Sequence, residues 1–132
     1  MAEKHVHQAV VNYLKHQYPH VLFRSDSGAG IKLTIGQAKA QKSIQKCRAW
    51  PDLFIAHPSG MYHGMFIELK DEGIKLKKRD GSWASEHIEE QNVVLSDLTV
   101  RGYYSDFAIG FNEAKKLIDD YLSGKLSIRS EH

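Results

Sequence analysis

The sequence predicts an α/β domain built on a central mixed β-sheet with helices packed on both faces. Three observations predict it. Helical and strand-like periodicities alternate along the chain; two apolar runs, DLFIAH and MFIELK, are separated by the turn-rich PSGMYHG; and the 132 residues suit one core, with roughly two-thirds of the unfolded surface open to burial. Apolar residues at 42% and charged residues at 26% are ordinary for a globular chain, which argues against disordered and fibrous classes. One domain over residues 1–132 is expected.

Residues 3 to 17 form the first expected helix, because Val6, Val10, Tyr13, Leu14 and Gln17 recur at spacings of three and four before Pro19 ends the pattern. Glu3 shares that face, or frays into solvent near the start of the chain. VLFRS reads as a short strand, and SDSGAG after it as a flexible turn. That Gly-rich stretch lacks the Lys-Ser or Lys-Thr ending of a P-loop and does not match a dinucleotide fingerprint. Residues 36 to 46 have the composition of a short, exposed, basic helix. DLFIAH and MFIELK then form an antiparallel hairpin turning near Gly60 and Met61. After the loop DEGIKLKKRDGSWA, a helix starts near Ser85, with Ile88, Gln91, Leu95 and Leu98 on one face and Gly102 at its end. YYSDFAIGF is the last strand. A final helix follows, capped at Asn112, with Ala114, Leu117, Ile118, Tyr121 and Leu122 inward and Gly124 as its stop. The tail KLSIRSEH is expected to fray.

No apolar run approaches the ~20 residues that cross a bilayer, and MAEKHVHQAV lacks a signal peptide's apolar stretch, so a cytoplasmic protein is expected. The lone Cys47 has no internal disulfide partner and agrees with a reducing compartment. Net charge is only +2, yet positive residues cluster. Arg24, Lys32, Lys39, Lys42, Lys46 and Arg48 face a single acid, Asp26, within one segment, and Lys75, Lys77, Lys78 and Arg79 follow FIELK. Such stretches suit a phosphate backbone, or are simply solvated faces.

The chemically informative residues are Pro51-Asp52 entering one strand and Glu68-Leu69-Lys70 ending the next. Side chains alternate along a strand, so Glu68 and Lys70 share a face while Leu69 points into the core. With the turn at Gly60-Met61, residues whose numbers sum to about 121 lie opposite each other, which brings Asp52 to the Glu68–Lys70 region. A slip of one residue would turn Asp52 to the other face. Two facing carboxylates ask for a cation between them. Mg²⁺ or Mn²⁺ suits these oxygens, with the Leu69 backbone carbonyl as a further ligand. Lys70 would orient or help deprotonate an attacking water and stabilise charge building on phosphoryl oxygens. Gln91 interrupts an apolar helix face, and a buried amide needs a polar partner such as this site.

These residues resemble the PD-(D/E)XK nuclease superfamily and, within it, the virus-type replication-repair nuclease (VRR-NUC) domain of small stand-alone phage and bacterial members. The resemblance runs from the Glu-bearing first helix through RSDSG, PDLFI, FIELK and the helical EEQ to the strand after RGYY. It implies a restriction-endonuclease-like core, Mg²⁺ or Mn²⁺ dependence, and cleavage of DNA, often at branched or flapped structures. It implies that Asp52 and Glu68 are metal ligands, that Lys70 is the catalytic lysine, and that Gln91 and Glu3 belong to the active site. A phage or prophage origin is implied by the same likeness. One departure is that Ala49 and bulky Trp50 precede Asp52 where members commonly carry a glycine, which implies a locally different approach to substrate.

Eight histidines invite a zinc reading, with His5 and His7 or His16 and His20 as pairs. No third ligand has a recognisable spacing and HExxH is absent, so surface histidines are expected. Trp50 and Trp83 flank the site in sequence. Core packing accounts for Trp50 equally well, and Trp83, in a polar basic loop, is the better candidate for a DNA or partner contact. A chain this small has little surface with which to grip DNA, so a two-fold homodimer on a four-way junction or other branched DNA is expected. A non-catalytic or partner-dependent DNA-binding subunit is the alternative.

Overall fold

The computed structural model describes residues 3–26, 34–43 and 46–126. Eight elements follow one another: α1 (Glu3–Gln17), β1 (Phe23–Ser25), α2 (Ile35–Ser43), β2 (Leu53–Ile55), β3 (Met65–Lys70), α3 (Glu86–Val100), β4 (Tyr104–Ile109) and α4 (Gly110–Leu122). Order and type agree with the expected pattern. The strands lie in the order β1-β2-β3-β4. β1, β2 and β3 pair antiparallel, and β3 pairs parallel with β4. Parallel neighbours need a long crossover, and α3 provides it.

The sheet's two faces receive different helices. Val6, Val10 and Leu14 of α1 and Ala114, Ile118 and Tyr121 of α4 form one core with Leu53, Ile55, Met65, Ile67 and Leu69. Full burial of one such aliphatic side chain stabilises by roughly 1.5–3 kcal/mol, so this layer carries most of the apolar stabilisation. On the opposite face, Ile88 and Leu95 of α3 pack with Phe107 of β4, joined by Leu76, Trp83 and Ala84 from the loop before α3. Ser85 caps α3 by accepting a hydrogen bond from the Ile88 amide at 3.1 Å, and Glu86 and Glu89 in its first turn suit its positive end.

The hairpin register differs from expectation in a way that matters for the site. The turn is where the spacing puts it: Ser59 bridges Tyr62, and Gly60 takes the left-handed backbone with φ 58°. Residues 56–58 on one arm then face only 63 and 64 on the other before Ile55 meets Met65. One extra residue is absorbed there, in the manner of a bulge. Paired residue numbers consequently sum to 120 along the strands, as in Leu53↔Ile67, rather than 121. Continuing that register puts Asp52 opposite Glu68 instead of opposite core-facing Leu69. Gly64 is required in this region, since a Cβ would stand 2.9 Å from the Ile55 carbonyl oxygen.

The bounds of four elements are corrected. The second helix runs over Ile35–Ser43, opened by Thr34, whose Oγ1 accepts from the Gln37 amide while Gln37 Oε1 accepts from the Thr34 amide; this T-x-x-Q capping box accounts for the earlier start. The last helix begins at Gly110 directly out of β4, with Ile109 as a cap that makes no side-chain bond, so Asn112 lies inside it and does not cap it. Leu53–Ile55 and Phe23–Ser25 are shorter strands than DLFIAH and VLFRS, because pairing ends where the hairpin bulges. No helix among the described residues is long and apolar enough to cross a membrane.

Candidate active site

Residues opposite each other on paired strands share a face, so the face away from α1 and α4 carries Asp52, Phe54, Phe66, Glu68 and Lys70 in alternation with the core leucines and isoleucines. Asp52, Glu68, Lys70 and Gln91 are all buried. Charged groups are buried only when paired, hydrogen-bonded or bound to a metal, so their clustering needs a structural reason. The bonds supply part of it. Asp52 Oδ2 accepts the Leu69 amide at 2.8 Å, which holds its carboxylate beside the Glu68–Leu69 peptide. Gln91 Nε2 donates to Glu68 Oε1 at 2.7 Å and lies 3.2 Å from His87 Nε2. Each anchor joins two elements: β2 to β3 through Asp52, and α3 to β3 through Gln91.

The inward face of α3 is Ile88, Gln91, Leu95 and Leu98, as the spacing predicts. Its one polar member meets the acid of the E-x-K strand. The backbone of Glu3 opens α1, while its side chain and Lys32 lie outside the described residues. Among the basic residues, Arg24, Lys39, Lys42, Lys46, Arg48, Lys75, Lys77, Lys78 and Arg79 are all exposed. Arg24 stands opposite Phe54 and therefore on the acid-bearing face. Arg48 reaches Glu90 of α3 at 3.8 Å. Lys77 Nζ stands 4.8 Å over the Trp83 ring.

The tryptophans exchange the roles that sequence position suggests. Trp83 is half-buried and packs on Phe107 at 6.0 Å between ring centres, whereas Trp50 is 46% exposed. His7 is a second surprise. It is buried rather than on the surface, and its Nε2 hydrogen-bonds Ser25 Oγ. Burial pushes its pKa down, opposed by the negative charge of Asp26. The Asp26 amide donates to the Asp52 carbonyl at 2.7 Å, so His7, Ser25 and Asp26 brace the chain immediately beside Asp52. Spacing contained the signal: Glu3, His7, Val10 and Leu14 form one helical stripe, with His7 on it.

Among the described residues no three His, Cys, Asp or Glu side chains come together as a metal-binding group. Mg²⁺ and Mn²⁺ take one or two carboxylates and fill the remaining positions with water and substrate phosphate. Asp52, Glu68 and the Leu69 carbonyl offer a hard oxygen set of that kind. Gln91 Oε1, buried with no hydrogen-bond partner among the described residues, is an acceptor that an ordered water would satisfy.

No family model and no curated protein matches this chain. Among solved structures, one described as a VRR_NUC domain protein superposes with a TM-score of 0.64, covering 94% of this chain and 90% of that chain at 24% identity. At that identity the likeness shows the fold, an α/β restriction-endonuclease-like core with a mixed four-stranded sheet between helices.

Proposed function

We propose that the protein is a Mg²⁺- or Mn²⁺-dependent DNA endonuclease that hydrolyses phosphodiester bonds, selective for branched DNA such as a four-way junction and acting as a homodimer. The observation that carries this reading is the convergence of Asp52, Glu68 and Lys70 on one buried face, with Gln91 fastened to Glu68. The shared fold with a structure described as a VRR_NUC domain protein supports it.

Asp52 and Glu68, with the Leu69 carbonyl, would hold the cation. When bound, it would acidify a water and draw charge from a phosphoryl oxygen. The remaining work belongs to the chain. Gln91 keeps Glu68 in one rotamer, and the Leu69 amide keeps Asp52 in another, so the ligands need no reordering when substrate arrives. Lys70, two residues along the strand on the same face, presents an ammonium to the attacking water and to the phosphoryl oxygens as negative charge accumulates. Exposed Arg24 and Arg48, together with the basic loop around Lys75–Lys78, would hold the backbone on either side.

The test is cleavage of matched linear, flapped and four-way-junction DNAs by the chain and by Lys70→Ala, with Mg²⁺, Mn²⁺ or EDTA. Cutting that requires metal, favours a branched substrate and disappears in the folded variant is expected. Failure of the wild type to cut any of them, with DNA binding intact, would leave a non-catalytic or partner-dependent subunit instead. Sedimentation of the active species as a monomer would remove the dimer.

A further inference from the structure

One residue pair along the strands from the acids, the same sheet face changes from charged to aromatic. Phe54 lies two residues beyond Asp52, and Phe66 lies two before Glu68, so both sit roughly 7 Å from the acids along the strands. Phe54 stacks on Phe66 with ring centres 4.5 Å apart. Tyr103 meets Phe66 edge-on at 5.2 Å and Trp50 does so at 5.3 Å. The layered rings bury Phe66 almost completely, yet Trp50, the residue before Pro51-Asp52, stays 46% exposed.

Two exposed arginines stand near the ring stack in the sheet or along the chain. Arg24 is directly across from Phe54 in the β1–β2 ladder and exposed. Arg48, two residues before Trp50, is exposed and paired only loosely at 3.8 Å with Glu90. Helix α3 packs over β3 and β4, so Phe54 and Arg24 lie to its β1–β2 side. An exposed indole backed by a rigid ring stack, on the sheet face that carries Asp52 and Glu68 and with arginines close by in chain and sheet, has the chemistry of a base-stacking platform. A base inside continuous duplex already has both faces covered by its neighbours. Only an unpaired or terminal base can offer a face to the ring.

We infer that Trp50 stacks an unpaired base of DNA bound beside Asp52 and Glu68, with Phe66 and Phe54 as its rigid backing and Arg24 and Arg48 on the adjoining phosphates. The feature recognised is then an uncovered base face beside duplex, as at a flap, a gap or the opened centre of a junction. The inference rests on the DNA reading proposed above, but not on cleavage.

Binding is therefore measured in EDTA, by anisotropy of labelled oligonucleotides, comparing a continuous duplex with the same duplex interrupted by a short single-stranded gap. The wild type should prefer the gapped DNA by about tenfold, Trp50→Ala should lose that preference while keeping its duplex affinity, and Trp50→Phe should restore most of it. In a Trp83→Phe background Trp50 is the sole indole, and its emission should be quenched by the gapped DNA and far less by duplex. That readout needs no change at Trp50. Equal affinity of the wild type for both DNAs, equal weakening of both by Trp50→Ala, or the absence of selective quenching overturns the inference. A Trp50-dependent gap preference without any cutting would keep the platform and sink the nuclease. Cutting without that preference would do the reverse.

Discussion

The two faces of the β2–β3 hairpin are made by alternate residues of the same two strands and do opposite work. On one, Leu53, Ile55, Met65, Ile67 and Leu69 have no exposed surface and lock against α1 and α4. On the other, Asp52, Glu68 and Lys70 are nearly as buried, but they are charged. Burial on the first face is a gain. On the second it is a cost, offset by bonds from the Leu69 amide and Gln91 that keep the acids in place. The apolar face explains why the domain holds together, and the charged face why a group of acids and a lysine is retained where hydrocarbon would be cheaper.

Substitutions one residue apart should separate the two faces. Leu69→Ala should cost about 2–5 kcal/mol of stability by leaving a cavity in the closed core, read as a fall in the denaturant midpoint; a loss below 1 kcal/mol would show that this face is not the stabilising one. Lys70→Met keeps the aliphatic stem and removes the ammonium. It should reduce cleavage by about 10²–10³-fold with a midpoint much closer to wild type than that of Leu69→Ala. Equal loss of stability in the two variants would erase the distinction.

A smaller effect is expected one shell out. Gln91→Ala removes the donor to buried Glu68 Oε1 and should lower kcat by about 5- to 150-fold, equivalent to the ~1–3 kcal/mol of a lost bond to a buried polar group, while Gln91→Glu should do no better. An unchanged rate would make Gln91 a packing residue.

The smallest expected effect is a pH dependence at His7. Its folded pKa lies below the usual 6.5 because burial disfavours the charged ring. The unfolded chain therefore takes up the proton first as pH falls, and stability that is full above about 6.5 declines below it towards the lower folded value. Unfolding midpoints measured from pH 8 to pH 5 should show that decline, and His7→Gln should flatten it. An equal slope in both proteins would assign the decline to other groups.

Much of this was legible in the sequence because it rests on local periodicity. The stripe Val6, Val10, Leu14 specified α1, and the stripe Ile88, Gln91, Leu95, Leu98 specified α3 with the correct amide turned inward. Alternation through FIELK separated Leu69 from Glu68 and Lys70. The start of α4 was less legible, since continuity from β4 through Gly110 replaces a side-chain cap, and Asn112 carries the conventional signal without using it. The capping box at Thr34 and Gln37 was present in the sequence as T-x-x-Q, hidden within a stretch of weak periodicity.

By itself, then, the sequence determined the element order, the inward faces of α1 and α3, and the pairing of Glu68 with Lys70 on one side of a strand, because each depends on repeats of two or of three to four residues. Tertiary structure alone decided the hairpin register, where residues 56–58 absorb one extra position and set a pairing that, continued past Leu53, puts Asp52 opposite Glu68. It also decided which tryptophan is covered. Trp83 meets Phe107 only because α3 and its preceding loop fold over β4, and Trp50 stays exposed because that cover ends over β3. Register and cover are set by contacts between residues far apart in the chain, and no local spacing encodes them.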